Sequence, residues 1–157
     1  MFSIARRQSR AFSLIELVIV VVIIGIIAAI AIPRMSRGAT GANDNALSGN
    51  LSVLRKAIDL YQAEHAAFPT AAEVVAQLTQ YTDQSGATSA TRTGAFIYGP
   101  YLRAIPPLTV GAKKGSTGIA AADGAGVGWI YSETEGTIRS NTTDAEVDSS
   151  GRKYNLY

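Results

Sequence analysis

The chain has 157 residues, 47% of them hydrophobic and none a cysteine, which excludes a disulfide scaffold and any thiolate metal site. Its formal charge of +2 overstates its basic character, because three of its 14 Lys and Arg fall in residues 1–11; beyond them 11 bases face 12 acids, a net of −1. That balance leaves no basic footprint for nucleic acid, and the 146 residues after the first eleven allow one membrane span and one small globular domain.

Met1 to Ala11 is a short leader carrying Arg6, Arg7 and Arg10 and no acid. Phe12 to Ile32 is then an almost unbroken apolar run, long enough as a helix to span about 31 Å and cross a bilayer core. Its one ionisable residue is Glu16. A carboxylate at the centre of such a helix costs roughly 2.5–3.5 kcal/mol, and less near the headgroups, where Glu16 would sit. The leader charge predicts a cytoplasmic N-terminus, although Arg34 and Arg37 beyond the run reduce the asymmetry. A secretory signal has a shorter apolar core and a small-residue cleavage site after it; here Pro33-Arg34-Met35 follows, so the run is expected to stay in the mature protein.

The stretch Arg10-Ala11-Phe12-Ser13-Leu14-Ile15-Glu16-Leu17 resembles the type III signal of type IV pilins and type II secretion pseudopilins. That signal has a basic leader ending in Gly, then Phe-Thr-Leu-Ile-Glu-Leu and an apolar helix; Ala11 stands where the family has Gly, and both are small. The resemblance implies that a prepilin peptidase cuts between Ala11 and Phe12 from the cytoplasmic side and methylates Phe12. It also implies that Glu16 is the family's acid, and that Pro33 lies where these helices carry a kinking proline. Implied partners are copies of the chain in a helical homopolymer, minor pseudopilins, the peptidase, an inner-membrane assembly platform, and membrane lipid before assembly. The physics of Glu16 agrees with such a role. An amine exposed at Phe12 can pair with Glu16 of a neighbour, and in an apolar bundle leaving either charge alone costs several kcal/mol.

Pro33 removes a helical hydrogen bond and favours a kink, and Gly38, Gly41 and Gly49 each cost about 1 kcal/mol relative to Ala, so Pro33 to Gly41 reads as a weak helical stretch. Leu47, Leu51, Leu54, Ile58 and Tyr61 then form one apolar stripe, with Arg55, Lys56, Asp59, Gln62 and Glu64 off it. The stripe predicts an amphipathic helix packed on a small sheet. Phe68-Pro69 should end that helix, with His65 as a surface or capping residue without chemistry. Thr70-Ala-Ala-Glu73 reads as a capping box opening a short helix, with Val74, Val75 and Leu78 inward. Thr82 to Gly94 is rich in Ser, Thr and Gly and reads as an exposed loop.

Tyr98-Gly99-Pro100-Tyr101-Leu102-Arg103-Ala104-Ile105-Pro106-Pro107, taken with Tyr61 through Phe68-Pro69-Thr70, resembles the major pseudopilins more loosely. Those carry a Tyr-Pro-Thr stretch after the long helix and a Gly-Pro-Tyr-Leu-like turn further on; Phe68 stands where Tyr is more common. The alternation of Gly128 to Ser132, the turn at Glu133 to Gly136 and the return over Thr137 to Ser140 predict a β-hairpin. Asp148-Ser-Ser-Gly151 predicts a turn into a last strand, Lys153 to Tyr157. Gly124, Gly126 and Gly128 alternate too closely for a dinucleotide fingerprint and read as loop.

No nucleophile–base set or Walker motif occurs, so the chain reads as a non-enzyme. Asp144, Glu146 and Asp148, with Glu133 and Glu135, are its acidic concentration. Major pseudopilins often bind calcium in a C-terminal loop, and hard oxygen ligands suit that ion, but the spacing here matches neither that loop nor an EF-hand and reads as a solvated turn. The expected fold is α+β and pilin-like, a long N-terminal helix packed on a small antiparallel head. Its expected divisions are a leader over 1–11, a transmembrane and filament-core helix over 12–33, an amphipathic half-helix over 34–69 and a periplasmic head over 70–157. The function these readings imply is a filament subunit anchored once in the bacterial inner membrane, foremost the major pseudopilin of a type II secretion system. The alternatives are a type IV pilin and, more remotely, a single-span membrane enzyme or sensor.

Overall fold

A computed structural model describes residues 12–157, the side chains of residues 33, 36 and 37 excepted. The leader and Ala11 lie outside the described residues. Two units are distinguished, the residues up to Ala39 and Thr40–Tyr157. Helix α1, Leu14–His65, runs 52 residues and contributes to both. It is helical through Pro33, Gly38 and Gly41, and the boundary between the units falls just inside the stretch those residues weaken.

The second half of α1 builds the core of the Thr40–Tyr157 unit. Leu47, Leu51, Leu54, Ile58 and Tyr61 are all buried, and Arg55, Lys56, Asp59, Gln62 and Glu64 are all exposed, as the 4-3-4-3 spacing predicts. The stripe shares its cluster with Val74 and Leu78 of α2 (Val74–Thr79) and with Ile119, Trp129, Tyr131 and Ile138 of the sheet. Trp129 and Tyr131, nearly or wholly buried, keep their polar tips bonded: the indole N–H donates to the Pro106 carbonyl at 2.9 Å and the phenol to the Pro69 carbonyl at 2.9 Å.

Two short strands, β1 (Tyr81–Thr82) and β2 (Thr88–Ser89), form an antiparallel pair. A second sheet takes the order β3 (Gly118–Ala120), β4 (Val127–Ser132), β5 (Thr137–Ser140). The β4–β5 hairpin is antiparallel, pairing Trp129 with Ser140 and Tyr131 with Ile138, whereas β3 joins β4 in parallel. The α+β class is therefore as expected, with one parallel pairing in an otherwise antiparallel head. Gly136 closes the hairpin turn at φ +65°, where a Cβ would also run into the Phe68 ring.

Local chemistry departs from expectation at several points. The capping box does not form: Glu73 precedes α2 without a side-chain cap bond, and the Thr70 N–H donates instead to Oε1 of buried Gln77 at 2.8 Å. Val75 is 40% exposed, because a six-residue helix turns Val74, Gln77 and Leu78 inward together and leaves Val75 beside them. Gly128 belongs to β4 and lies where a Cβ would strike the Ser116 carbonyl. The expected loop from Thr82 holds the end of β1 and all of β2, and Thr82 is fully buried, exchanging backbone bonds with Tyr98. The expected last strand reduces to a bridge at Lys153, followed by a 3-10 turn over Tyr154–Leu156.

His65 is also buried rather than exposed. α1 ends there, Ala66 takes a left-handed φ of 56°, and the chain turns back over the helix end. The ring stacks on Tyr61 with centroids 4.0 Å apart; Nδ1 lies 3.1 Å from the Tyr61 carbonyl oxygen and Nε2 3.0 Å from that of Asp83. His65 thus fastens the β1–β2 segment to the helix, a structural role.

A fragment lacking residues 1–36 is expected to fold as a soluble monomer. In it, Leu54→Ala should lower the unfolding free energy by about 2–5 kcal/mol, the cost of deleting a buried leucine. Urea denaturation measures this, and a loss under about 0.5 kcal/mol, the level of a surface change, would contradict the core assignment.

Candidate processing and assembly site

The first described residues set the geometry of the N-terminal end. Phe12 precedes the helix and is 78% exposed; the Ser13 carbonyl accepts the Leu17 N–H at 3.2 Å, and α1 starts at Leu14. Glu16 therefore stands in the first turn, four residues and about one helical turn beyond Phe12. A carboxylate there faces the positive end of the helix dipole, a favourable placement worth a few tenths to about 1 kcal/mol. Glu16 is exposed, as are Leu14, Ile15, Leu17 and Val18 around it.

Leu14–Ile32 is 19 residues long, about 28 Å as a helix, and apolar enough to cross a membrane. None of it is buried within the protein, which separates it from the core helix of a soluble domain. The surface of this segment is Val, Ile and Leu interrupted by Gly25, Ala28, Ala29 and Ala31, and it carries a single ionisable group near one end. A peptide cut before Phe12 would place a cationic amine one turn from that group's level.

The acidic residues of the C-terminal third do not converge. Asp144 accepts from Lys153 Nζ at 2.6 Å and from the Asn155 amide, and the lysine contact holds its carboxyl below the ordinary range. Glu146 accepts the backbone N–H groups of Thr143 and Ala112, at 2.7 and 2.5 Å, and these lower its pKa. Asp148 accepts the Tyr157 hydroxyl at 2.5 Å together with the N–H groups of Ser150 and Arg152, which hold it far below its ordinary 3.8. With their lone pairs turned to separate donors, these residues do not fit a calcium ion. Among the described residues no group of three or more His, Asp or Glu is placed to hold a metal.

Sequence reading missed what these acids hold together. Glu146 clasps the Ala112 loop to the Thr143 turn, and Asp148 ties the last residue back to the turn before it. On α1, buried Asp44 accepts the Tyr154 hydroxyl at 2.7 Å, and Arg55 Nη2 donates to the Tyr157 carbonyl at 2.6 Å. Tyr154 is pushed above its ordinary value, first by burial and then by Asp44. The available signal was local: an Asp followed two residues later by Ser, as in Asp83-Gln-Ser85 and Asp148-Ser-Ser150, folds onto its own backbone N–H groups.

Residues 6–32 match the family model described as the prokaryotic N-terminal methylation motif. The chain therefore carries the signal found on the precursors of type IV pilins and pseudopilins, on a helix able to anchor it in a membrane. No curated protein and no solved structure matches the chain significantly.

The depressed carboxylates set a pH dependence. A carboxyl whose pKa is lower folded than unfolded stabilises the fold above its unfolded value, and that contribution is lost as pH falls through the folded value. Asp83, Asp144, Glu146 and Asp148 all shift down, so the head should hold its midpoint temperature above about pH 5 and lose it progressively below the ordinary 3.8 and 4.5 of Asp and Glu. Asp148→Asn should flatten part of that acid limb. A thermal series from pH 6 to pH 2.5 on the fragment lacking residues 1–36 measures both, and a flat profile would contradict the assignment.

Proposed function

We propose that this chain is the structural subunit of a helical filament built from a bacterial inner membrane, and foremost the major pseudopilin of a type II secretion system. The observation that carries the reading is the placement of Phe12 and Glu16 at the start of a bare apolar helix directly after a basic leader, within a matched methylation motif. In this reading the peptidase removes residues 1–11, cutting between Ala11 and Phe12 and methylating the new amine of Phe12. The leader arginines keep that end cytoplasmic, the head over 70–157 is periplasmic, and the span over 12–33 waits in lipid until assembly. Pro33, which the resemblance makes the family's kinking proline, and the glycines after it make residues 33–41 the weakest stretch of α1.

Glu16 then has a physical task. Methylation leaves the Phe12 amine protonatable, so assembly carries one cation and one carboxylate per subunit into an apolar bundle. Each buried alone costs several kcal/mol, whereas the amine of one subunit set against Glu16 of its neighbour offsets much of that. Helices whose surfaces are otherwise Val and Ile slide past one another at little cost, and the pair selects one axial register. The Gly-Pro-Tyr-Leu turn at 99–102 supports the secretion branch over the pilus branch. The second reading, a type IV pilin, is favoured by the acids of the C-terminal loop, which hold backbone donors where a major pseudopilin often holds calcium.

Three measurements test this reading. Intact-mass measurement of membrane-extracted protein should give residues 12–157 plus one methyl group; a retained Met1, or a cut after Ile32, would refute the processing scheme. Glu16→Leu should insert and be cleaved normally yet fail to assemble, because the neighbour's amine is then buried without a partner at a cost of several kcal/mol. Glu16→Asp, which keeps the charge with a shorter reach, should be intermediate. Filament shearing beside a cleavage assay reads both steps, and normal filaments from Glu16→Leu would sink the register argument. Loss of protein export in a null strain, with surface piliation intact, separates the first reading from the second.

A further inference from the structure

The outer face of the β4–β5 hairpin is unlike its inner face. Trp129, Tyr131, Ile138 and Ser140 point into the core, which leaves Ile130, Thr137 and Arg139 on the other side. There they floor an open trough of about 640 Å³, with Ala71, Glu133 and Glu135 at its rim. Glu133 uses Oε2 to accept the Ala71 N–H at 2.8 Å, and Glu135 uses Oε2 to accept the Thr137 hydroxyl at 3.2 Å. Neither has an ion-pair partner among the described residues, and each retains a free carboxylate oxygen. Arg139 also lines the trough, so this end carries two carboxylates against one guanidinium.

A complementary segment lies elsewhere on the same unit. Thr91–Ile97 is exposed at every position except Phe96, which is half-buried. It presents Arg92, with no hydrogen bond or ion pair among the described residues, and Ile97, whose large apolar side chain is 48% exposed. Ser89 Oγ braces the start of the segment by donating to the Thr91 carbonyl at 2.8 Å and accepting the Thr91 N–H at 3.2 Å. Ile97 lies five positions after Arg92, a reach of up to about 17 Å, more than the ~10 Å that extended chain covers from Ile130 in β4 to Glu133 just past its end.

We propose that the trough on the outer face of β4–β5 receives the Thr91–Ile97 segment of a second copy of this chain, Arg92 meeting Glu133 and Glu135 and Ile97 covering Ile130. The occupant is a second copy because the matching charge and the matching apolar side chain both stand on this chain, on a patch distinct from the trough. A contact between two different patches is heterologous and does not close on itself, so its repetition produces a chain of subunits rather than a dimer. Exposed charge pairs add little affinity, but they suppress wrong alignments, which is what a repeating contact between heads requires. The proposal rests on the filament reading above.

The test uses the full chain in assembling cells. The chain has no cysteine, so a pair introduced as Thr134→Cys and Gly94→Cys reports this contact alone. Both positions are exposed, and a Cβ at Gly94 meets nothing within 4 Å. Oxidation should give a ladder of dimers, trimers and higher species that needs both substitutions. In parallel, Glu135→Lys and Arg92→Glu should each reduce sheared filaments at least about tenfold, and the double variant should recover to within about threefold of the unaltered chain. Filaments at normal levels without a ladder would overturn the trough contact while leaving the filament reading intact. Loss with Glu135→Lys that Arg92→Glu does not rescue would overturn the second copy as occupant and assign the trough to a different protein. If the unaltered chain forms no filaments, the underlying reading fails and the proposal falls with it.

Discussion

Leu14–Ile32 turns its Val, Leu and Ile side chains outward on every side, with no protein packed against them. Each such side chain left in water forgoes roughly 1.5–3 kcal/mol, so the segment has to be surrounded by lipid or by other apolar helices. Those two environments are nearly equivalent to an apolar side chain, because lipid tails are as apolar as leucine. The hydrophobic effect therefore holds the helix out of water but does not by itself move it from a bilayer into a bundle. Whatever favours the bundle must come from packing, from polar groups or from the soluble part of the chain. The one polar side chain available within the segment is Glu16, and it sits at the end where a processed terminus would bring a cation.

The remainder of α1 is subject to the opposite demand. From Leu47 onward one face must be dry, and the sheet, α2 and the Ile105–Val110 segment supply the cover. Residues 154–157 then return to the helix: Tyr154 bonds Asp44, about one turn before the stripe begins at Leu47, and the Tyr157 carbonyl takes Arg55. His65 fastens the β1–β2 segment at the other end. Helix, sheet and C-terminus of this unit are thus joined by contacts that do not involve the apolar span. A head closed in this way can meet its neighbours as a preformed surface while the span exchanges lipid for protein.

The parts of this architecture that were legible in the sequence are those governed by periodicity over several turns. The spacing of Leu47, Leu51, Leu54, Ile58 and Tyr61 leaves one way to bury all five, and the alternation of Trp129, Ile130 and Tyr131 before a Gly-ended turn leaves one strand orientation. Local polar chemistry was not legible. Thr70 and Glu73 have the spacing of a capping box, yet Gln77, four residues beyond Glu73, reaches the Thr70 N–H first because it is itself buried. His65 looked like a helix-end residue because nothing in its neighbourhood indicates that residues 81–83 fold over it. The parallel β3 pairing was hidden for the same reason: three residues are too few to carry a pattern, and their partner lies across a glycine-rich loop.

The acidic residues divide on the same principle. Asp144, Glu146 and Asp148 look in the sequence like a charge concentration, but each of them, like Asp83, closes a loop by taking donors within a few residues or from one facing turn. A carboxylate so engaged is a structural part, and its depressed pKa records the donors around it rather than any reactivity. Glu16 differs because, among the described residues, no donor or cation engages it, at the start of a segment apolar enough to cross a membrane. Glu133 and Glu135 differ because each gives up only one oxygen to the fold. The distinction between acids that complete the subunit and acids that await another molecule follows from counting donors around each carboxylate. It separates the functional candidates of this chain more sharply than charge density along the sequence does.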